Sequence, residues 1–370
     1  MTETPLHTDK TVHEKKKMKV VWICHFLNQD LKEKLSLRPE EKVFAPWISL
    51  GIDEMKKRDD VVLYVISPFY NITKSKYFSE GNVNYYCIKV GMPFLKRAWP
   101  IAFDVDRWSN FLEFNLKVNR LIQTIDPDII NLHGAENAYY SGSALKIRNY
   151  PILVTIQGFL RLNIYNDGQN PYLKKRLQIE EKILKTLIYF GVEARFITQY
   201  IKGFNPNARI FYYHYPYAKA EIDWEVPKEY DLVFFANLTK AKGLEDLIDA
   251  IYILKNKRPD ISLLIMGKGE KNYVKYINQK IEDLGITSNI VLKGFIPSQE
   301  KMLKEAVKAK ISVLPTYNDT IPGTIVESMH LRLPVITYEV GGNPDLNIDD
   351  ERIVLVEKGD VEGLAIEINR

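Results

Sequence analysis

The chain has 370 residues, which is too long for one small core and predicts two domains. Its 46% hydrophobic and 26% charged residues are typical of a soluble globular protein. A formal net charge of +4 is small for this length and argues against a dedicated nucleic-acid-binding protein, whose positive charge would be larger and clustered.

The first 17 residues are polar, and we interpret them as a disordered tail. No apolar run in the chain approaches the roughly 18 residues of a membrane-spanning helix. The two cysteines, Cys24 and Cys87, cannot build a disulfide framework or a thiolate metal site. A reducing, cytoplasmic location is therefore expected.

From residue 19 onward, short β-branched segments alternate with amphipathic segments, as in a doubly wound α/β sheet. The segments predicted to be buried parallel strands are Lys19–Cys24, Val61–Ser67, Asp128–His133, Pro151–Ile156 and Ala194–Thr198. Residues 108–125 have a helical pattern that places Phe111, Leu112, Asn115, Val118 and Ile122 near one face. This first Rossmann-like domain is predicted to span residues 18–211.

Residues 212–230 contain two prolines and no sustained period, so we predict that they link two domains. The alternation then begins again over residues 231–370. Its strand candidates are Asp231–Ala236, Ser262–Gly267, Asn289–Gly294, Lys310–Pro315, Pro334–Thr337 and Arg352–Val356. A helix after the first of these has one buried stripe, formed by Leu244, Leu247, Ile248, Ile251 and Leu254. The predicted architecture is therefore two Rossmann-like parallel-sheet domains.

Such sheets bind ligands beyond the carboxyl ends of their strands, so the residues that follow the strands are the candidate site. Lys240 and Lys242 precede a helix that begins at Gly243, an arrangement suited to phosphate oxygens. The alternative is an ordinary solvated loop. Gly267 and Gly269 allow a close backbone approach to a ligand, although a plain tight turn explains them equally well.

The stretch LPTYNDTIPGTIVESM, residues 314–329, places one carboxylate on each side of a Pro-Gly turn. Pro322 begins a predicted helix whose first amides, those of Gly323, Thr324 and Ile325, are expected to be free to bind phosphate. Glu327 lies one turn into that helix and is placed to accept from ribose hydroxyls. In the alternative interpretation Thr324 and Glu327 form a capping box and have no ligand.

Six motifs from residue 231 to about residue 363 occur in the order typical of one known family. They are KG at 242–243, GKG at 267–269, NIVLKGF at 289–295, VLP followed by the D-x7-E pair of Asp319 and Glu327, PVIT at 334–337 and VGGNPD at 340–345. Together they resemble the retaining glycosyltransferases of family 4, which have the GT-B fold. The final helical pattern, from residue 361, is shorter than in that family.

The resemblance implies a nucleotide sugar bound mainly by the second domain, in a cleft between the two domains. Lys242 would bind the donor diphosphate together with amides near Gly323, and Glu327 would bind the ribose. Asp319 would contact the transferred sugar, and backbone near Phe295 would meet the base. GT-B enzymes generally need no metal or other cofactor, and none is expected here.

Three positions depart from the family pattern. The family usually has an arginine on the diphosphate where this chain has Asn237, so Lys240 would have to substitute. The first carboxylate of the E-x7-E motif is the shorter Asp319. In the first domain Gln157 stands where the family has a donor-contacting histidine.

Acceptor contact in the first domain is assigned to His133, which ends a predicted strand, and to Glu136, which follows it. A histidine at a strand end is about as often a structural residue.

The sequence thus predicts transfer of a sugar from a nucleoside diphosphate-sugar to a carbohydrate or lipid-linked glycan acceptor, as in bacterial surface polysaccharide or glycolipid assembly. The rival from another class is a non-catalytic GT-B protein that binds a nucleotide sugar or a protein partner. An epimerase or phosphorylase is disfavoured by the D-x7-E spacing.

Residues 173–190 are amphipathic and basic at their start. This pattern either reflects core packing or provides a peripheral membrane contact.

Overall fold

The computed structural model describes residues 16–90, 112–161, 173–217 and 221–370. It contains two β-sheets with helices between their strands. One sheet has eight strands and the other has six.

The eight-stranded sheet has the order β3-β4-β2-β1-β5-β6-β7-β8. Its strands are β1 (Met18–Ile23), β2 (Val61–Phe69), β3 (Lys76–Glu80), β4 (Val83–Lys89), β5 (Ile129–His133), β6 (Ile152–Thr155), β7 (Tyr189–Val192) and β8 (Arg209–Tyr212). β1 pairs in parallel with β2 and β5, whereas β3 pairs antiparallel with β4. The parallel core agrees with the sequence prediction; the β3–β4 hairpin and β8 were not predicted.

The six-stranded sheet has the order β11-β10-β9-β12-β13-β14, and all of its pairings are parallel. Its strands are β9 (Tyr230–Phe235), β10 (Leu263–Met266), β11 (Ile290–Gly294), β12 (Ala309–Leu314), β13 (Val335–Tyr338) and β14 (Val354–Val356). All six predicted strands of the second half are confirmed to within two residues at each end. Both faces of this sheet are covered, since Leu232 and Phe234 belong to one buried cluster and Val233 and Phe235 to another.

The α-helices are α1 (Gln29–Lys34), α2 (Pro46–Lys56), α3 (Leu112–Ile125), α4 (Ala138–Ser141), α5 (Leu173–Thr186), α6 (Arg195–Phe204), α7 (Leu244–Lys255), α8 (Lys271–Asp283), α9 (Gln299–Ala306), α10 (Gly323–His330) and α11 (Val361–Asn369). The stripe predicted for α7 is confirmed, because all five of its residues are buried. Within the described chain, no helix combines the length and the apolar character needed to cross a bilayer.

Residues 194–198 were predicted to be a strand, and this prediction is wrong. The strand is β7, which ends at Val192, and Arg195 begins α6. Ile197 and Ile201 are buried four residues apart, which is helical spacing. The β-branched and aromatic residues have a local preference for a strand. The burial of Ile197 and Ile201 on one face stabilises a helix instead.

Helix α3 is also rotated relative to the prediction. Leu112 is 46% exposed, while Phe114 is buried together with the predicted Asn115, Val118 and Ile122. Phe111 lies outside the described residues. The apolar stripe of such a helix predicts which residues face the core only to within about one position. The tertiary packing decides which residues are buried.

The contacts divide the chain into two compact units. The first unit comprises the described residues of Met1–Thr155 and Phe159–Ile188, and the second comprises Ile156–Gly158 and Tyr189–Arg370. The second unit therefore includes β7, β8 and the segment 213–217 that follows them. The sequence-based boundaries at residues 211 and 231 remain predictions.

Candidate functional site

The candidate site of the second unit lies where β9 and β12 are neighbours. From β9 the chain proceeds outward to β10 and β11, and from β12 it proceeds outward in the opposite direction to β13 and β14. This is a topological switch point, and the crevice beyond the carboxyl ends of the two strands is the usual ligand position in such sheets. The segments that emerge there are residues 236–243 and 315–323.

The loop after β9 is held against the end of β12. Gly243 has φ +70°, and a Cβ atom added to it would lie 1.9 Å from the carbonyl oxygen of Pro315. Only glycine fits this approach. The carbonyl of Ala241 also accepts from the amide of Tyr317 at 2.8 Å. Glycine therefore serves here to bring Lys242 beside the loop that carries Asp319.

Lys242 and Asp319 form an ion pair in this crevice, with 2.5 Å between Nζ and Oδ2. The hydroxyl of Thr316 donates to the same Oδ2 at 2.8 Å. The two predicted site residues are thus brought together, and Thr316 joins them although sequence reasoning did not identify it. Lys240 is exposed nearby in the same loop.

Helix α10 begins beside this pair. Its N-cap is Pro322, and among the described residues no group accepts from the amides of Gly323 and Thr324. The amide of Ile325 donates to the carbonyl of Pro322 at 3.0 Å, so the prediction that it is free is wrong. Two amides, and not three, are available to an anion at the positive end of the helix dipole.

The capping-box interpretation is contradicted. Thr324 lies inside the helix, and its hydroxyl donates to the carbonyl of Phe235 at 2.9 Å, which fastens α10 to the end of β9. The carboxylate of Glu327 accepts from the side-chain amide of Gln299. Burial raises the pKa of Glu327, and the hydrogen bond from Gln299 opposes that rise. Glu327 therefore caps no amide of its own helix.

The glycine pair Gly341–Gly342 approaches protein backbone. A Cβ on Gly341, which has φ +54°, would lie 1.7 Å from the carbonyl oxygen of Asp319, and one on Gly342 would lie 2.0 Å from that of Thr320. The pair therefore fixes the loop that carries Asp319.

Gly267 and Gly269 also pack on backbone. A Cβ on Gly267 would lie 1.8 Å from the carbonyl oxygen of Ala236, and one on Gly269 would lie 2.9 Å from Cβ of Leu238. Leu238 and Gly269 also form an isolated parallel bridge. These glycines hold the loops after β9 and β10 together.

Phe295 follows β11 and is 59% exposed, with the ammonium of Lys268 5.6 Å from its ring centroid. An exposed aromatic ring beside a cation presents a flat surface for a base. Its assignment to the donor base remains a prediction.

Tyr217 was included only in the predicted linker, but it lies against the start of α10. A Cβ added to Gly323 would lie 3.5 Å from Cε1 of Tyr217, and the Tyr217 ring is 6.4 Å from that of His330. Burial and the nearby carboxylates of Glu193 and Glu327 raise the pKa of its phenol, so the hydroxyl stays protonated. Nothing in the local sequence marks this role, because it depends on contacts more than 100 residues away.

Gln157 and Glu193 both contact the segment before Tyr217. Gln157 donates to the hydroxyl of Tyr215 at 3.2 Å, and Glu193 accepts from the amide of Tyr215 at 3.4 Å. Burial raises the pKa of Glu193 to about 7. Gln157 therefore belongs to the second unit and has a protein partner there.

Of the two candidate residues of the first unit, His133 ends β5 and Glu136 lies in the loop after it. His133 is 3% exposed and packs on Trp22 with 4.4 Å between ring centroids, and burial lowers its pKa to about 3. Neither ring nitrogen has a partner among the described residues. The carboxyl of Glu136 folds over Gly134, and burial raises its pKa to about 7. His133 is thus a neutral, buried side chain, whereas Glu136 is partly accessible.

Core packing accounts for the amphipathic segment 173–190. Helix α5 ends at Thr186, and it buries Ile179, Ile183 and Leu184. Residues 189 and 190 belong to β7.

In the described ranges no three His, Cys, Asp or Glu side chains are grouped so that they could hold a metal ion.

The two Rossmann-like parallel sheets have the GT-B fold, and solved structures share it. The structure of sucrose-phosphate synthase from Thermosynechococcus elongatus has a TM-score of 0.68 at 15% identity and aligns over 96% of this chain and 89% of that chain. HepE from Anabaena, in complex with UDP, has a TM-score of 0.64 at 14% identity over 95% of this chain and 89% of its own. At such identities the likeness defines the fold alone.

The match to a sequence family covers the C-terminal part of the chain. Residues 219–370 match the family described as Glycosyl transferases group 1. The amylovoran biosynthesis glycosyltransferase AmsK of Erwinia amylovora is 31% identical over 136 residues, which are 35% of this chain and 33% of that protein. The match thus spans about a third of the length of the curated relatives.

Proposed function

We propose that the protein is a retaining glycosyltransferase of family 4, which transfers a sugar from a nucleoside diphosphate-sugar to a carbohydrate acceptor. The observation that carries the proposal is the placement of Lys242 after β9 and of the start of α10 after β12, where the amides of Gly323 and Thr324 have no partner among the described residues. A cation and two amides at a switch point suit a diphosphate. The family match of residues 219–370 supports the same class.

The chemical difficulty in sugar transfer is the negative charge that develops on the departing diphosphate. Lys242 and the two amides would stabilise that charge as it forms, without any need for covalent catalysis. Glu327, fastened by Gln299, would accept from the ribose hydroxyls. In the front-face course that we propose, the leaving phosphate itself takes the proton of the attacking acceptor hydroxyl, and configuration is retained.

The cationic side of the site is weaker than in the family pattern. Asn237 is exposed and neutral where the family has an arginine, so Lys240, exposed in the same loop, is proposed as the second cation. We propose that Phe295 contacts the base, and that Gly243, Gly267 and Gly269 shape the donor loops. Glu136 is the proposed acceptor contact in the first unit, because the residue is partly exposed and its buried Oε2 has no partner among the described residues.

The acceptor is proposed to be a carbohydrate or lipid-linked glycan of bacterial surface polysaccharide assembly, with the protein in the cytoplasm and no metal required. Relatives named for amylovoran and capsular polysaccharide biosynthesis support this class. Membrane association at the inner face would follow from a lipid-linked acceptor, and liposome co-sedimentation tests it.

A thermal-shift screen with UDP, GDP, ADP and TDP and their common sugar conjugates tests the donor assignment. A ligand at about 100 times its dissociation constant stabilises its domain by about 2.7 kcal/mol. For a domain of this size that corresponds to a rise in Tm of about 5–10 °C. One nucleotide should stand out, and hydrolysis or transfer of its sugar should then be measurable.

The competing proposal is a non-catalytic GT-B protein, favoured by the neutral Asn237 and by the protein-bonded Gln157. It predicts nucleotide binding without turnover for any acceptor. Absence of a shift with every nucleotide would reject the donor assignment itself.

A further inference from the structure

The carboxylate of Asp319 is occupied by protein groups. Its Oδ2 accepts from the ammonium of Lys242 at 2.5 Å and from the hydroxyl of Thr316 at 2.8 Å. The side chains of Lys242 and Asp319 are only 23% and 21% exposed. A pair so shielded interacts more strongly than a solvated surface pair.

Both partners of this pair are held in place by backbone contacts. Thr316 is fully buried, and its hydroxyl lies 3.2 Å from the carbonyl of Ala241, the residue before Lys242. The carbonyl of Asp319 packs against Gly341, which has no side chain to prevent it. The pair is therefore a fixed feature of the junction between the loops after β9, β12 and β13.

We propose that Asp319 is a positioning residue that acts through Lys242. It holds the ammonium in the crevice and partly neutralises it until a diphosphate replaces the carboxylate. The inference rests on the proposed function for the natural ligand, a nucleotide sugar. It differs from the role that the family resemblance implies, contact with the transferred sugar, because the shorter aspartate side chain is engaged by Lys242 and Thr316.

A diphosphate must compete with Asp319 for the ammonium of Lys242, so removal of the carboxylate charge should tighten diphosphate binding. A residue that contacts only the sugar would leave the affinity for a ligand without sugar unchanged. A merely structural residue would weaken it.

The experiment is calorimetric titration of the full chain with inorganic pyrophosphate, which has no base and no sugar. Asp319→Asn keeps the size and an acceptor oxygen for Lys242 but removes the charge, and it should bind pyrophosphate about tenfold more tightly. The gain should disappear in the double variant Lys242→Ala/Asp319→Asn. Asp319→Glu keeps the charge and should not bind more tightly than the wild type.

Asp283→Asn is the matched control for net charge. Asp283 ends α8, which begins at the carboxyl end of β10 and so runs toward the opposite edge of the sheet. The affinity of the Asp283→Asn variant for pyrophosphate should stay within about twofold of that of the wild type. Should Asp319→Asn fail to fold, Asp319→Ser removes the same charge with a smaller side chain.

The proposal is overturned if Asp319→Asn binds pyrophosphate no more tightly than the wild type. It is also overturned if the gain in affinity persists in the double variant Lys242→Ala/Asp319→Asn. If neither protein binds pyrophosphate, Lys242 is not a diphosphate ligand and the proposal is also overturned. The thermal-shift screen with nucleotides can succeed even if pyrophosphate does not bind, because the base and the sugar of a nucleotide sugar can bind without help from Lys242. The two proposals are therefore tested by distinguishable results.

Discussion

Glu327 is fastened from outside its own helix, because its carboxylate accepts from the side-chain amide of Gln299, 28 residues earlier in the chain. Gln299 is the first residue of α9, and Glu327 lies in the second turn of α10. The other carboxylate oxygen has no hydrogen-bond partner among the described residues. A carboxylate held at one oxygen is preorganised to accept ligand hydroxyls at the other.

Replacement of Glu327 by alanine should reduce the thermal shift produced by the nucleotide that stabilises the wild type to about half or less. Loss of charged hydrogen bonds to ribose costs about 1.5–3 kcal/mol, which is roughly a 10- to 150-fold loss in affinity. The measurement is the dissociation constant by calorimetry. Unchanged affinity in a folded variant would show that Glu327 does not bind the donor.

Gln299→Ala is the partner control for that experiment. It leaves the carboxylate in place but unfastened, so the affinity should fall by less than in Glu327→Ala. Equal losses in the two variants would mean that Glu327 acts only by supporting α9.

Lys242→Ala should lower turnover much more than Lys240→Ala. Lys242 lies in the crevice beside α10, whereas Lys240 is exposed in the preceding turn. Removal of a group that stabilises developing charge costs about 10²–10³ in kcat. Steady-state kinetics with the identified donor measures the difference, and equal effects would argue against Lys242 as the main phosphate cation.

Gly341→Ala should destabilise the protein by about 2–4 kcal/mol, because the new Cβ would overlap the carbonyl of Asp319. Gly81→Ala is the matched control: Gly81 has φ +58°, close to the +54° of Gly341, but a Cβ there would meet nothing within 4 Å. That control should lose only about 1 kcal/mol. Chemical denaturation measures both, and equal losses would mean that the contact with Asp319 is easily relieved.

Glu136→Gln should change how stability depends on pH. Burial raises the pKa of Glu136 to about 7 in the folded protein, above its unfolded value near 4.5. Between these values the folded state binds more protons than the unfolded state, so the wild type loses stability as pH rises from 4.5 to 7. The glutamine variant lacks this loss.

The free energy of unfolding of Glu136→Gln minus that of the wild type should therefore increase by about 1–3 kcal/mol across this window, the lower figure allowing for solvent screening. Urea denaturation at several pH values measures the difference. His133 has a pKa lowered to about 3, so it destabilises both proteins equally as pH falls below 6.5, and its effect cancels. A difference independent of pH would mean that Glu136 ionises normally.

Thr324→Val should cost about 1 kcal/mol of stability, because it removes the hydrogen bond to the carbonyl of Phe235. Thr324→Ser keeps the hydroxyl and serves as the control. If α10 is loosened from β9, nucleotide affinity should also fall in the valine variant. Thermal unfolding with and without nucleotide distinguishes the two effects.

The strands of the second sheet were readable from the sequence because each is a short apolar run bounded by glycine, proline or polar residues. Burial on both faces makes such runs most distinct in β9, β10 and β13. The same reasoning failed at residues 194–198, where local composition favoured a strand and packing of Ile197 and Ile201 decided for a helix. It also missed the hairpin β3–β4, whose turn residue Gly81 carries only a weak signal.

Some residues of the candidate site were predicted from the sequence, and others were found only in the structure. Lys242, Asp319 and Glu327 were identified by their positions after strands, since the sheet topology sends those positions to one edge. Gln299, Thr316 and Tyr217 were not, because a glutamine at the start of a helix and a threonine and a tyrosine in loops carry no distinctive pattern. Their roles arise from partners 28, 3 and 106 residues away in the chain.

By itself, the sequence determined the alternation of strands and helices, the two sheets, and the set of loops that carry charged residues, because hydrophobic periodicity is a local property. Only the tertiary structure decided which of those charges meet. Lys242 and Asp319 are 77 residues apart, and they pair because β9 and β12 are neighbours and because Gly243 and Gly341 let the loops touch. Side-chain partners at that separation depend on strand order and close packing, which no local pattern specifies.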